Sequence, residues 1–302
     1  MKIVITGGLG FIVSRFAHLC VKHGMNPIII DKETYASNID RLDGIRSQVD
    51  LLRKDICDVV EHDLIEAEYI VNFAAESHVD NSIEDGDPFV HSNVKGVFNL
   101  LEQSKNISSF KKFIQVSTDE VYGDIDNGIS KETDSLLPSS YYSATKASAD
   151  LMVKAANRTY GIPYIITRAC NNYGPNQHPE KLIPKVQIAI ANQSSIPVYT
   201  PGTQTREWIH VDDHCLAIYK IMLSSHINEI YNIGSGERYT NLELIDILAN
   251  GQEYNISMIK DRLGHDKRYA LDCSKYQWDF GQCSFTSLSE WIKLSRGKEW
   301  KL

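Results

Sequence analysis

A chain of 302 residues, 42% of them hydrophobic, can build one large α/β unit plus a smaller part sharing its cleft. With 31 basic against 39 acidic side chains the net charge is −8, which excludes the sequence-independent phosphate binding of nucleic-acid proteins but not a locally held diphosphate. No apolar run reaches the roughly 20 residues of a membrane-spanning helix, and Cys20, Cys57, Cys170, Cys215, Cys273 and Cys283 stand singly, without a C-x-x-C pair. They are expected as reduced thiols, with no metal bound.

In chain order, the strand-like run Ile3–Thr6 comes first and leaves no room for a leader peptide, so a cytoplasmic protein is expected. A helix over Phe11–His23 and a strand over Pro27–Asp31 follow, and the stretch from Asp31 to about Asp63 shows no regular pattern. Alternation then resumes with Glu68–Phe73, Val90–Lys105, Lys112–Ser117, Tyr141–Tyr160 and Pro163–Arg168. Short β-branched runs alternating with helical patterns predict an α/β fold with a doubly wound parallel sheet of the Rossmann type. Beyond Arg168 the texture changes to loops punctuated by Gly174-Pro175, Pro197 and Pro201-Gly202, around helices Val211–Leu223 and Asn241–Ala249. We expect residues 1–170 to form a dinucleotide-binding domain that also carries the chemistry. Residues 171–302 are expected to form a smaller α/β substrate-binding part, the chain crossing between the two.

Between the first strand and helix lies Thr6-Gly7-Gly8-Leu9-Gly10-Phe11-Ile12. In that context Gly7 permits the tight turn and Gly10 lets backbone N–H groups approach a pyrophosphate at the helix N-terminus. The next strand ends in Asp31, where a carboxylate can accept from a ribose hydroxyl and favours NAD over NADP. Val13 stands where a third glycine is usual, which predicts a helix pushed slightly outward and weaker cofactor binding.

Tyr142 and Lys146 are four residues apart and so share a helix face, where the ammonium would lower the phenol pKa and make Tyr142 a base. Ser117-Thr118-Asp119-Glu120-Val121-Tyr122-Gly123 follows a strand directly, at the carboxyl end where parallel sheets bind ligands. Adjacent carboxyls there can divide acid from base if their surroundings pull the two pKa values apart. Of the histidines, His210 in Trp-Ile-His-Val reads as structural, while structural and ligand-contacting roles stay open for His265.

These segments identify the chain as similar to the nucleotide-sugar 4,6-dehydratases of the extended short-chain dehydrogenase/reductases. The likeness rests on TGGLGFIVS (Thr6–Ser14), DKETYASN (Asp31–Asn38), AAESHVDNSI (Ala74–Ile83), STDEVYG (Ser117–Gly123) and YSATKASAD (Tyr142–Asp150). It continues through NNYGPNQHPEKLIP (Asn171–Pro184), REWIHVDDH (Arg206–His214) and DRLGHDKRYA (Asp261–Ala270). The resemblance implies that Tyr142, helped by Thr118 and Lys146, takes the sugar 4-hydroxyl proton while hydride passes to NAD. Glu120 would then remove the C5 proton, Asp119 would protonate the leaving 6-hydroxyl, and the hydride would return to C6.

It further implies cofactor contacts from Gly7, Gly10, Phe11, Ile12, Asp31, Lys32, Asp55, Ile56, Ala74, Ala75, Ser77, Tyr142 and Lys146. For the substrate it implies Ser77, His78, Asn171, Glu180, Lys181 and Leu182 around the sugar and diphosphate, and Arg206, Asn241, Arg262 and His265 around the nucleotide. Arg206 and Arg262 suit phosphate, because guanidinium can donate two parallel hydrogen bonds. The implied substrate is dTDP-glucose or UDP-glucose, the implied product a precursor of rhamnose-type deoxysugars, and the implied assembly a homodimer through Val90–Lys105 and Tyr141–Tyr160. Besides Val13, Tyr141 and Leu263 replace usual prolines, and the segments Asp31–Asp63 and Ala249–Met258 are short. Two rivals stand against this reading. A sugar epimerase or decarboxylase would lack Asp119-Glu120, and a degenerate NAD- or nucleotide-sugar-binding protein without turnover has no reason to keep Thr118, Asp119, Glu120, Tyr142 and Lys146 together.

Overall fold

The computed structural model describes residues 1–281 and 285–295; Cys283 lies outside them. The strands are β1 (Ile3–Thr6), β2 (Ile28–Asp31), β3 (Asp50–Arg53), β4 (Tyr69–Asn72), β5 (Lys112–Thr118) and β6 (Tyr164–Ala169), then β7 (Asn171–Tyr173), β8 (Ser195–Tyr199), β9 (Thr205–His210), β10 (Glu229–Ile233), β11 (Arg238–Thr240) and β12 (Asn255–Ile259). The helices are α1 (Phe11–Lys22), α2 (Val79–Glu84), α3 (Asp87–Phe89), α4 (Val97–Ser104), α5 (Tyr141–Tyr160), α6 (Leu182–Ala191), α7 (Val211–Leu223), α8 (Asn241–Ala249), α9 (Ser274–Phe280) and α10 (Leu288–Ser295).

Seven strands form one sheet in the order β3-β2-β1-β4-β5-β6-β10, every neighbouring pair parallel. The α/β expectation therefore holds. Its inner strands are rich in buried Ile and Val because both faces are covered. On one face Phe16, Ala17 and Cys20 of α1 and Ile218 and Met222 of α7 pack on the sheet; on the other Leu100 and Leu101 of α4 and Val153 of α5 do so. A third cluster, including Tyr173, Trp208, Leu244 and Trp291, forms the core of the smaller part around the sheets β11-β9-β7 and β12-β8. The last strand of the large sheet, β10, comes from residues beyond 170.

Some elements differ from the sequence reading. The expected helix Val90–Lys105 is entered at Asp87, passes through a π-helical segment, Val90–Gly96, and ends at Ser104. The unassigned stretch after Asp31 contains β3 and short 3-10 turns. Helix α5 matches its expected bounds because its ends are signalled locally. Ser140 caps the start through the Ser143 N–H, and Gly161 closes the end in the left-handed region. Val13 is buried in the core, with its Cγ2 3.7 Å from where a β-carbon on Gly10 would sit. The five described cysteines are free thiols, and no described helix is long and apolar enough to cross a membrane.

Candidate active site

Strand order reverses between β1 and β4, and ligands of such sheets bind outside the strand ends at that point. A cleft of about 510 Å³ lies there. It is lined by all the residues named for cofactor, chemistry and substrate: Gly7, Gly10, Phe11, Ile12, Asp31, Lys32, Asp55, Ile56, Ala74, Ala75 and Ser77; Thr118, Asp119, Glu120, Tyr142 and Lys146; His78, Asn171, Glu180, Lys181, Leu182, Arg206, Asn241, Arg262 and His265.

At the dinucleotide end the turn after β1 brings Gly7, at φ +73°, so close to the next strand that a β-carbon would lie 3.0 Å from Ala74 Cα. Asp31 is held rather than free: Oδ2 accepts from Leu9 N at 2.9 Å, and Oδ1 from Glu33 N at 2.7 Å and Ser37 Oγ at 2.9 Å. Arg41, which the sequence reading missed, donates to the carbonyls of Leu9 and Ala36, and its Nε has no protein partner. Lys32 reaches Ser92 Oγ at 2.7 Å, Glu76 at 3.4 Å and Asp55 at 3.7 Å. The wall Ala74–Ser77 is pinned by Asn93, on the π-helical segment, whose amide accepts from Glu76 N and donates to Glu76 O and Thr145 Oγ1. A glycine turn over a helix start, a fixed acidic residue at the end of β2 and this pinned wall fit a dinucleotide.

Deeper in, β5 delivers Thr118, which caps a 3-10 turn over Asp119–Tyr122. Its hydroxyl accepts from Glu120 N at 3.3 Å and donates to Asp119 Oδ1 at 3.1 Å. The turn ends at Gly123, φ +77°, where a β-carbon would fall 2.0 Å from Leu137 O, so only glycine fits. The two carboxyls differ in surroundings. Burial, then Glu120 and Glu207, hold the Asp119 pKa well above the usual carboxylate range. Burial also raises Glu120, but Arg206, Arg262 and Lys181 oppose it. The surroundings therefore hold a proton more firmly on Asp119 than on Glu120.

The expectation for Tyr142 needs correction. Burial and the Glu120 charge raise its pKa, and only a Thr118 hydrogen bond lowers it. Lys146 does not supply the expected relief in this arrangement. Its ammonium donates to Val116 O at 2.6 Å, and burial pushes its pKa down to about 8.

On the substrate side Arg262 donates to Asp80 at 3.0 Å and keeps an unpartnered Nε, which leaves it capacity for an anion. Arg206 has its prongs engaged: they donate to the carbonyls of Thr205, Asp266 and Lys267, and the guanidinium stacks on Tyr269. Its paired donation to phosphate, read from the sequence, is not what the fold shows. Here it clamps the 266–267 loop and sets a positive charge beside Glu120. His265 contacts Asp261 and Tyr199 while lining the cleft. His210 caps α7 and packs on Tyr173, a structural place.

Residues the sequence did not single out, Tyr199, Trp208, Gln177 and His214, also line the cleft. His78 Nδ1, Asp119 Oδ2, Gln177 Oε1, Trp208 Nε1, His214 Nε2 and Arg262 Nε are buried without protein partners and belong to its walls, as a site for a polar ligand requires. Beside the cleft the Tyr35 hydroxyl is 3.4 Å from Glu180 and from Asn81, and its ring is edge-on to His178.

A family model described as the NAD dependent epimerase/dehydratase family matches residues 3–234. The low-salt glycan biosynthesis protein Agl12 of Haloferax volcanii is 44% identical over 91% of each chain. The dTDP-glucose 4,6-dehydratase of Streptomyces niveus is 39% identical over 93% of this chain and 87% of its own. The crystal structure of DesIV, a dTDP-glucose 4,6-dehydratase from Streptomyces venezuelae with NAD bound, superposes with a TM-score of 0.93. It is 37% identical, over 99% of this chain and 98% of its own.

Proposed function

The chain belongs to the NAD-dependent epimerase/dehydratase family, and from that premise we propose that it is a nucleotide-sugar 4,6-dehydratase acting on dTDP-glucose. The observation that carries the reading is the split pair Asp119 and Glu120, set at the end of β5 beside Tyr142. An epimerase or decarboxylase has no use for two adjacent carboxyls in such unlike surroundings at this place. NAD would be held by the Gly7–Ile12 turn, Asp31, Lys32 and Asp55, and would supply a reversible store for hydride.

The chain's own residues do the proton work. Tyr142, beside Thr118, takes the 4-hydroxyl proton. The ammonium of Lys146 supports the phenolate once the cleft is filled. The C5 proton, acidified by the neighbouring ketone, goes to Glu120, which returns it to C5 when hydride is added at C6. Asp119 passes its proton to the departing 6-hydroxyl, which leaves as water. Arg262 and Lys181 meet the diphosphate, while Asn241 and His265 meet the nucleoside. The product, a 4-keto-6-deoxy sugar nucleotide, suits rhamnose-type deoxysugar synthesis in the cytoplasm. Exposed Val90, Phe98 and Leu151 on the π segment, α4 and α5 support a homodimer through those helices.

The test incubates the purified protein, without added NAD, with dTDP-glucose and separately with UDP-glucose, and looks for loss of one water by mass spectrometry. Product from dTDP-glucose is expected, and the faster substrate names the base. Glu120→Gln should stop elimination while leaving hydride transfer to the cofactor visible by absorbance, and Tyr142→Phe should suppress both. If neither sugar nucleotide reacts even with excess NAD, the dehydratase reading fails in favour of a binding protein.

A further inference from the structure

We infer that Asp55, Cys57 and His91 form a site for a divalent cation of zinc type at the rim of the cleft. The sequence reading expected no metal, since it finds no C-x-x-C pair and no histidine cluster at ligand spacing. In the fold, one ligand atom from each lies within 4.8 Å of the others, the one such group among the described residues. Asp55 Oδ2 is 3.3 Å from His91 Nε2, and Cys57 Sγ is 3.3 Å from the His91 carbonyl. Tetrahedral zinc, with bonds of roughly 2.0–2.3 Å to carboxylate, imidazole and thiolate, places its ligand atoms about 3.3–3.8 Å apart. Small side-chain rotations therefore close the shell.

The backbone that carries these groups is fixed. Asp55 and Cys57 sit on the 3-10 turn Ile56–Asp58, and His91 on the π-helical segment. The two meet at Gly96, where a β-carbon would be 2.4 Å from Ile56 Cδ1. Asn99 also ties the turn to α4, donating to Ile56 O and Val59 O at 2.8 Å each. His91 is exposed and Cys57 half-buried, so a cation can enter and keep a water as its fourth ligand. On binding, a metal–sulfur bond forms, the thiol S–H breaks and its proton passes to solvent; nothing is oxidised or reduced. Lys32, 3.7 Å from Asp55, can give way because it also contacts Ser92 and Glu76.

Asp55 also lines the cleft. Resting on the cofactor assignment made above, the cation and NAD draw on the same carboxylate and should oppose each other, each weakening the other by the same factor. The test titrates the chelator-treated protein, first stripped of bound NAD, with cobalt(II) alone. We expect one equivalent to give a near-ultraviolet thiolate-to-cobalt band that zinc displaces. Cys57→Ser should abolish the band, and His91→Ala should weaken zinc about tenfold or more, measured against a chromophoric chelator. Both variants should keep parental turnover in chelator, which shows that they fold. Saturating NAD should weaken zinc binding to the parental protein. No band, or equal binding by the parental and Cys57→Ser proteins, would overturn the site, and indifference to NAD would overturn the linkage. Because the readout is spectroscopic, it stands apart from the dehydratase assay.

Discussion

Asp119 and Glu120 share a backbone link yet feel different fields. Asp119 has Glu120 and Glu207 set against Arg206 alone, whereas Glu120 has Arg206, Arg262 and Lys181 set against Asp266. Both are raised, so the pH profile should be displaced at its acid side. Turnover needs ionised Glu120 and falls as pH drops through a value above the usual 4.5 of glutamic acid. Arg262→Gln removes a charge that favours the carboxylate. The acid limb of kcat should therefore move to higher pH, while KM rises from the lost anion contact. An unmoved limb would mean that Glu120 is not the group titrating. The paired carboxyls and the Tyr142/Lys146 spacing could be read from sequence because each is local. The direction of the Tyr142 shift could not, since it comes from burial and from Glu120, on a different element.

Elements are joined by polar contacts with no local signature. Arg168 on β6 donates to Asp150 on α5 at 2.9 Å and to Tyr122 at 2.9 Å; Tyr122 in turn donates to Asn232 on β10 at 2.7 Å. The Arg168 and Asp150 side chains are 2% and 0% exposed. Arg168→Ala strands a buried carboxylate and should cost about 3–5 kcal/mol, whereas the double change Arg168→Met with Asp150→Leu should recover much of that loss. Urea denaturation at constant slope checks both; equal destabilisation by the single and double variants would show that the pairing is not what matters. The π-helical segment is similarly silent in sequence, because Val90–Gly96 carries an ordinary helical pattern. It became visible only through what Asn93 and Gly96 touch. The short strands β3 (Asp-Leu-Leu-Arg), β7 (Asn-Asn-Tyr) and β11 (Arg-Tyr-Thr) were missed because they lack the β-branched runs that mark β1, β2 and β4.

At the scale of the molecule, the glycine turn, Asp31 and the strand-helix alternation announced the sheet, because each sits within one β-α-β stretch. Closure of the cleft did not show, since it depends on meetings such as Tyr35 with Glu180 and Asp80 with Tyr199 and Arg262. These join residues more than a hundred positions apart, and no spacing rule reaches that far. The large sheet itself needs the far half of the chain, because β10 pairs with β6 from Ile165 to Ala169. A fragment of residues 1–170 leaves β6 as an open edge. It should aggregate or be digested within minutes under limited proteolysis that the full chain withstands; a monomeric, resistant fragment would show that β10 is dispensable.

That late strand also imposes a timetable on the ribosome. Between the end of β6 and the end of β10 lie 64 residues, which at about 5–20 residues per second take roughly 3–13 s to emerge. For that interval the nascent sheet offers a bare, apolar margin to its surroundings. Rare codons or a pause within the Cys170–Asn228 stretch would lengthen the exposure. Yield of active protein in the cell should therefore follow the speed at which this stretch is translated, even when not one amino acid is changed.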